Sequence, residues 1–155
     1  MSDQGTGSGN RYRIRPCRAE DIPAVVEMSE RWAAEGSTVG QVPIPAEMAR
    51  SWLGGNFWVA EHDSGVVGFA YASTHSDELV VVPAGQRYLK LEELYVLPDH
   101  RRRGIGGQLV EHVLAEAAAQ GITHGWVYSS AKEWQRIVSF YQQHGFKMWF
   151  VGLHR

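Results

Sequence analysis

One cysteine, Cys17, is all that this chain of 155 residues carries. That excludes a disulfide framework and a cysteine-based metal site. No apolar run approaches the ~18 residues that a membrane-spanning helix needs. The N-terminus, Met1 to Asn10, lacks the basic and apolar regions of a secretory signal. It reads as a polar, disordered leader before one domain over residues 11–155. Neither sign of charge dominates, because 15 basic residues stand against 17 acidic ones for a net of −2. That balance argues against a surface given over to nucleic acid or anionic membrane. These absences describe a soluble, cytoplasmic protein.

What is present is a core and many glycines. Hydrophobic residues make up 44% of the chain, and six Trp, six Tyr and five Phe supply large surfaces to bury. The length is that of one domain. Seven histidines do not make a metal set: His62, His75, His112 and His124 fall on separate elements with no i, i+4 pair. His100 and His144 are expected to face solvent. Cys17 is expected to be a small buried residue rather than a nucleophile.

The hydrophobic pattern divides the chain into short elements. Tyr12 to Arg15 alternates as a half-buried strand. Ile22, Val25, Val26, Ser29 and Trp32-Ala33 give one helical face, with Asp21 placed to cap it and Pro23 tolerated in the first turn. Gly36 to Pro45 is a loop, and Ala46 to Leu53 a short helix. Phe57–His62 and Val66–Ala72 flank Asp63-Ser64-Gly65 as a hairpin. Leu79 to Val82 fits either a strand or an apolar rim on a loop. Leu89 to Val96 is a strand that Pro98 stops. Ile105, Leu109, Val110, Val113, Leu114 and Ala117 form the apolar stripe of a helix over Gly104–Gln120, with Gly121 at its C-terminal cap. A strand over His124–Tyr128, a helix over Trp134–His144 closed by Gly145, and a last strand over Phe146–Leu153 complete the order. The second half is a βαβαβ run, which implies parallel strands, and the hairpin adds antiparallel ones. The class is α/β (α+β), with a mixed central sheet and helices on both faces.

The chemistry concentrates in Leu94-Tyr95-Val96-Leu97-Pro98-Asp99-His100-Arg101-Arg102-Arg103-Gly104-Ile105-Gly106-Gly107. A strand ends, three arginines follow, and a helix begins on glycines. The first turn of a helix has backbone N–H groups without intrahelical partners, and its dipole is positive there. Glycines let an anion approach closely, so the stretch fits a phosphate or pyrophosphate cradle. It is not a Walker A loop, because Gln108-Leu109 follows Gly107 where Lys-Ser/Thr is required. It is not a dinucleotide fingerprint, because Leu109 stands where the third glycine belongs. By itself the stretch also fits a plain helix start behind a solvated basic turn.

Arg101-x-x-Gly104-x-Gly106, preceded by Leu94-Tyr95-Val96-x-Pro98, resembles the acetyl-CoA loop of the GCN5-related N-acetyltransferase (GNAT) superfamily. Phe140-Tyr141-Gln142-Gln143-His144-Gly145-Phe146 is similar to that superfamily's Phe-Tyr-x-x-x-Gly-Phe signature, in the expected order. The resemblance covers residues 89–153. It implies a splayed sheet with acetyl-CoA, as cosubstrate, between the strand ending at Val96 and the strand around His124–Tyr128. Backbone groups of Leu94, Tyr95 and Val96 would pair with the pantetheine arm. Amides across Arg101, Arg102, Arg103, Gly104, Ile105, Gly106 and Gly107 would hold the pyrophosphate. Trp134 stands where many members have an Asn, and would pack on the cofactor or on the core.

Direct transfer requires a neutral amine, a stabilised oxyanion and a protonated leaving thiolate. Tyr141 matches the family's tyrosine acid, and a phenol of pKa near 10 can reprotonate a thiolate. Glu92 and Glu93 are candidates for handling the amine, and strand alternation puts them on opposite faces, so that at most one faces the reacting centre. The resulting expectation is an acetyl-CoA-dependent N-acetyltransferase acting on a primary amine of a small molecule or peptide. Residues 30–53 and 73–88 would shape the acceptor pocket. A CoA-binding sensor without turnover is the alternative, and a nucleic-acid domain using the arginines is a second. A homodimer is compatible, since a terminal strand leaves an edge to cover.

Overall fold

The computed structural model of the protein describes residues 11–155. The expected leader, residues 1–10, lies outside them. Five strands form one sheet in the order β1-β2-β3-β4-β5: Arg13–Pro16, Asn56–His62, Gly65–His75, Tyr88–Val96 and His124–Val127. The first four pair antiparallel, and β5 joins β4 in parallel. The expected βαβαβ run therefore yields a single parallel pair. Four helices complete the fold: α1 (Ile22–Glu35), α2 (Ala46–Ser51), α3 (Ile105–Ala119) and α4 (Trp134–Gln143).

Alternation along the strands builds a core on each face. On one face, Ile22, Val25 and Met28 of α1 and Ala49 of α2 pack on Phe57, Val59, Phe69 and Tyr95. On the other, Leu109, Val110, Val113 and Ala117 of α3 pack on Ala70, Ala72, Leu89 and Leu91, with Phe140 and Tyr141 of α4 against the same cluster. Both faces are thus covered by helices.

One expectation fails for an identifiable reason. Phe146–Leu153 forms no strand, and residues 146–155 carry no regular structure. β5 offers a template of only four residues. The segment is held by rings instead: Trp149 and Phe150 lie 4.7 and 6.0 Å from Trp126, centroid to centroid. Of the two readings open for Leu79–Val82, the apolar rim on a loop is the one present: a turn closed by Val82 N–H to the Leu79 carbonyl at 2.8 Å, with Val80 92% exposed.

Asp21 precedes α1 but does not cap it with its side chain. Its carboxylate instead accepts two bonds from the buried Arg15 guanidinium, at 2.6 and 2.8 Å, and one from Arg18 N–H at 2.8 Å. Arg15 Nε also donates to Glu61 at 2.9 Å. A buried guanidinium needs such partners, and they fasten β1 to β2 and to the start of α1. Burial opposes the Asp21 charge, yet the Arg15 and Arg18 bonds hold its carboxyl below the ordinary aspartate value. Asp21→Asn should cost about 3 kcal/mol in urea denaturation at pH 7, because it leaves Arg15 short of a buried partner. An acid whose folded pKa is depressed stabilises above its unfolded pKa and loses that contribution as pH falls through the folded value. The wild-type advantage over Asp21→Asn should therefore shrink below about pH 4.

Candidate active site

The parallel register between β4 and β5 runs Tyr88↔His124, Leu89↔Gly125, Lys90↔Trp126 and Leu91↔Val127, and stops there. β4 continues to Val96 while the chain after β5 turns away. A cavity of about 1100 Å³ opens at the parting. Its walls are Leu91–Val96, the 127–133 segment, the start of α3 and the inner side of α4. Leu94, Tyr95 and Val96 present strand backbone to it without a β5 neighbour. Such backbone needs hydrogen-bonding partners and suits an extended amide-bearing ligand.

The glycine-rich loop lies at the far end of this cleft. Arg101, Arg102, Gly104, Ile105, Gly106 and Gly107 all line the cavity. Arg102 (φ +61°) and Gly104 (φ +78°) both take left-handed conformations, and α3 starts at once after them. The turn so formed brings successive amides to the N-terminus of a 15-residue helix, which is the geometry of an anion nest. A Cβ on Gly107 would come within 3.1 Å of the His144 ring, which itself bonds Glu111 at 2.7 Å. The glycine thus lets α4 close onto α3.

The three arginines part company. Arg102 faces the cavity. The Arg101 side chain turns back: its Nε donates to the Val96 carbonyl at 2.8 Å, and Nη2 reaches both Glu35 oxygens at 2.9 Å. Arg103 donates to Tyr12 Oη at 3.0 Å and does not line the cavity. Trp134 is 57% exposed and also lies outside it. The ring, expected to pack on cofactor or core, belongs to neither core cluster. His100 and His144, expected to face solvent, both line the cleft.

Glu92 and Glu93 do not obey strand alternation. β3 and β4 pair Tyr71 with Glu93 and Ala72 with Leu91, which leaves Glu92 as the extra residue of a bulge. Leu91 and Leu94 consequently pack on the same α3 cluster. The two glutamates between them share the opposite face, and both line the cavity. Glu92 is heavily engaged, accepting from Ser73 Oγ at 2.7 Å and Lys90 Nζ at 3.0 Å. Burial opposes its charge, but these bonds keep its carboxyl below the usual glutamate value. For Glu93, burial and then the Glu92 charge push the carboxyl up to about 7. Across the cleft, burial raises the Tyr141 phenol, so it stays protonated at neutral pH. Its ring is held edge-on by Phe140 and Phe146 at 5.0 and 5.6 Å.

The opposite rim comes from the loop after α1. Trp32, Ser37, Thr38 and Gln41 line the cavity, within the stretch 30–53 expected to shape it. This loop is strapped to the segment after β5. Val39 N–H donates to the Ser130 carbonyl at 3.0 Å, and Lys132 N–H to the Ser37 carbonyl at 2.9 Å. From 73–88, Ser73 contributes indirectly through Glu92. Sequence patterning did not single out the 129–133 part of the wall or this strap, because neither carries a periodic signal. Among the described residues, no group of three or more His, Cys, Asp or Glu side chains could hold a metal ion. No helix of the described residues is long and apolar enough to cross a membrane.

Comparison with known proteins agrees with this geometry. The family model for the acetyltransferase (GNAT) domain matches residues 54–148. N-acetyltransferase family 8 member 2 of Rattus norvegicus is 36% identical over 104 residues, 66% of this chain and 44% of that protein. Human N-acetyltransferase 8 is 34% identical over 110 residues, again 66% and 44%. The match thus spans less than half the length of these relatives. Among solved structures, a predicted acetyltransferase from Clostridium acetobutylicum with acetyl-CoA superposes with TM-score 0.71 at 18% identity, over 93% of this chain and 96% of that one. An aminoglycoside N-acetyltransferase in complex with CoA gives TM-score 0.75 at 21% identity, over 96% and 97%.

Gly104 tests the cradle directly. Gly104→Ala forces a side chain into a left-handed position, which should cost roughly 1–2 kcal/mol in thermal denaturation. It should also weaken CoA binding measured by calorimetry.

Proposed function

The chain belongs to the GNAT acetyltransferase family, and on that premise we propose that it transfers an acetyl group from acetyl-CoA directly to the primary amine of a small-molecule or peptide acceptor. The observation that carries this reading is the parting of β4 and β5, which brings Glu93 and Tyr141 into one cavity beside the glycine-rich loop. Strand backbone at Leu94–Val96, which has no β5 neighbour, suits the pantetheine arm, and amides from Arg101 to Gly107 suit the pyrophosphate. Acetyl-CoA supplies an acyl thioester with a good leaving group.

Glu93 acts as the base. It takes a proton from the acceptor ammonium, so that the neutral amine attacks the thioester carbonyl. A carboxyl near 7 suits that task at physiological pH. The C–N bond forms, and the tetrahedral intermediate collapses with cleavage of the C–S bond. Tyr141 gives its proton to the departing sulfur, and the second proton of the attacking nitrogen passes to the phenolate, so that the products are a neutral amide and a thiol. Glu92 sets the field around Glu93 and adds negative charge that favours a cationic acceptor.

The test is thiol release from acetyl-CoA across a panel of amines: a polyamine, an aminoglycoside and a lysine-bearing peptide. Transfer to one of them supports the reading. CoA binding with no transfer to any supports a binding module instead.

Predictions for three side chains, Glu92, Glu93 and Tyr141, accompany it. The rate should rise with pH through a midpoint near 7, where Glu93 loses its proton. Glu92→Gln should move that midpoint down, because it removes the neighbouring charge that raises Glu93. Glu93→Gln should abolish the ascending limb. Glu93 also binds a proton more tightly folded than unfolded, so stability falls as pH rises from the usual glutamate range towards 7. Glu93→Gln should therefore gain Tm over wild type at pH 8 but not at pH 4. Tyr141→Phe should lower kcat by about 100-fold while leaving the Kd for CoA nearly unchanged, as loss of a general acid does. An unaltered kcat would remove Tyr141 from the chemistry.

A further inference from the structure

Glu35 is the last residue of α1 and lies on no motif. Its carboxylate nevertheless sits where three parts of the site meet. Both oxygens accept from Arg101 Nη2 at 2.9 Å. One of them also accepts from the Tyr95 hydroxyl. Arg101 lies over the Tyr95 ring, with its guanidinium carbon 5.3 Å from the centroid, and Trp32 stacks on that ring at 5.3 Å. Immediately after Glu35, Gly36 (φ +61°) turns the chain into the strap that reaches the 130–132 segment.

Tyr12 tethers the loop that Arg101 belongs to from one side, its hydroxyl lying 3.1 Å from His100 Nδ1 and accepting from Arg103 at 3.0 Å. Leu97 N–H bonds the Val67 carbonyl at 2.9 Å, and two local turns follow, His100 to Leu97 and Arg101 to Pro98. It must keep two consecutive-but-one residues, Arg102 and Gly104, in left-handed conformations. A guanidinium nitrogen shared between both oxygens of one carboxylate is a charge-assisted contact, short and strong enough to hold the side chain in place. With Arg101 Nε on the Val96 carbonyl, that contact clamps the loop to the end of β4 from the side.

We propose that Glu35 is a positioning residue for the cosubstrate: by holding Arg101 against Tyr95 and Val96, it presets the 101–107 amides for the pyrophosphate of coenzyme A. The inference rests on the acetyl-CoA reading above. It makes Arg101 a strut whose charge is answered by Glu35, while backbone amides and Arg102 receive the anion.

The sign of one affinity change separates this from the alternative. If Arg101 gripped pyrophosphate directly, Glu35 would compete for it, and Glu35→Gln would tighten CoA binding. If Glu35 presets the loop, Glu35→Gln weakens it. The experiment is calorimetric titration of coenzyme A into the full chain and into Glu35→Gln, Glu35→Asp, Arg101→Gln and the Glu35→Gln/Arg101→Gln double variant. The expected result is that each single Gln variant loses about tenfold in affinity, the scale of one charge-assisted contact. The double variant should be no weaker than either single one, since both remove the same strut. Glu35→Asp, which keeps the carboxylate one methylene short, should recover part of the loss. In steady state, the Glu35→Gln loss should fall on the KM for acetyl-CoA rather than on kcat. Unchanged or tighter binding by a folded Glu35→Gln overturns the proposal, as do additive losses in the double variant. A drop in Tm with the Kd unmoved means a structural role alone and overturns it too. If the wild-type chain itself fails to bind coenzyme A, the functional reading fails and this inference with it.

Discussion

Everything in the site depends on where β4 and β5 stop pairing. Parallel strands normally run on until a turn or a helix ends them. Here β5 ends at Val127 while β4 goes on to Val96. The backbone of β4 beyond Leu91 then has a partner on the β3 side and an open cleft on the other. Stable protein cannot leave such groups without bonding partners. The cleft is therefore a place where an extended ligand replaces a strand. The helices that follow each of these strands, α3 and α4, become the two jaws of the same opening.

The bulge at Glu92 is the second constraint. One inserted residue shifts the face of every side chain before it relative to every one after it. Leu89 and Leu91 stay on the α3 core, Leu94 and Val96 rejoin it, and two carboxylates are carried together onto the cleft side. Their proximity then differentiates them. Glu92 takes the available donors from Ser73 and Lys90 and keeps its charge. Glu93 is left in the more buried position beside that charge, and its proton is held more tightly. Two residues of the same type thus acquire different protonation behaviour from environment alone.

The fold was largely legible. The helix over Gly104–Gln120 carried its stripe and cap glycine, and the hairpin carried its turn residues; both are present within a residue or a few of the expected bounds. A helix start and a short signature are local, so they pointed to the glycines and Tyr141 that line one cavity. The strand over Phe146–Leu153 was misjudged, because its pattern has no knowledge of how short β5 is. Arg103 was assigned to the cofactor through its backbone amide, and only the structure shows that its side chain goes to Tyr12; Trp134, read as packing on cofactor or core, is 57% exposed and outside the cavity lining.

Sequence alone determined the class of sheet, the helix that opens on glycines, and the kind of ligand that opening suits. Each of these follows from local periodicity and from the backbone chemistry of a helix start, which neighbouring residues dictate. Only the tertiary structure decided that Glu92 and Glu93 share a face, that Arg101 answers to Glu35, and that the loop after α1 is strapped across to the segment after β5. Those outcomes depend on register between strands and on contacts between residues up to 95 positions apart, Ser37 to Lys132. No local pattern encodes them, because they come into being when the chain closes on itself.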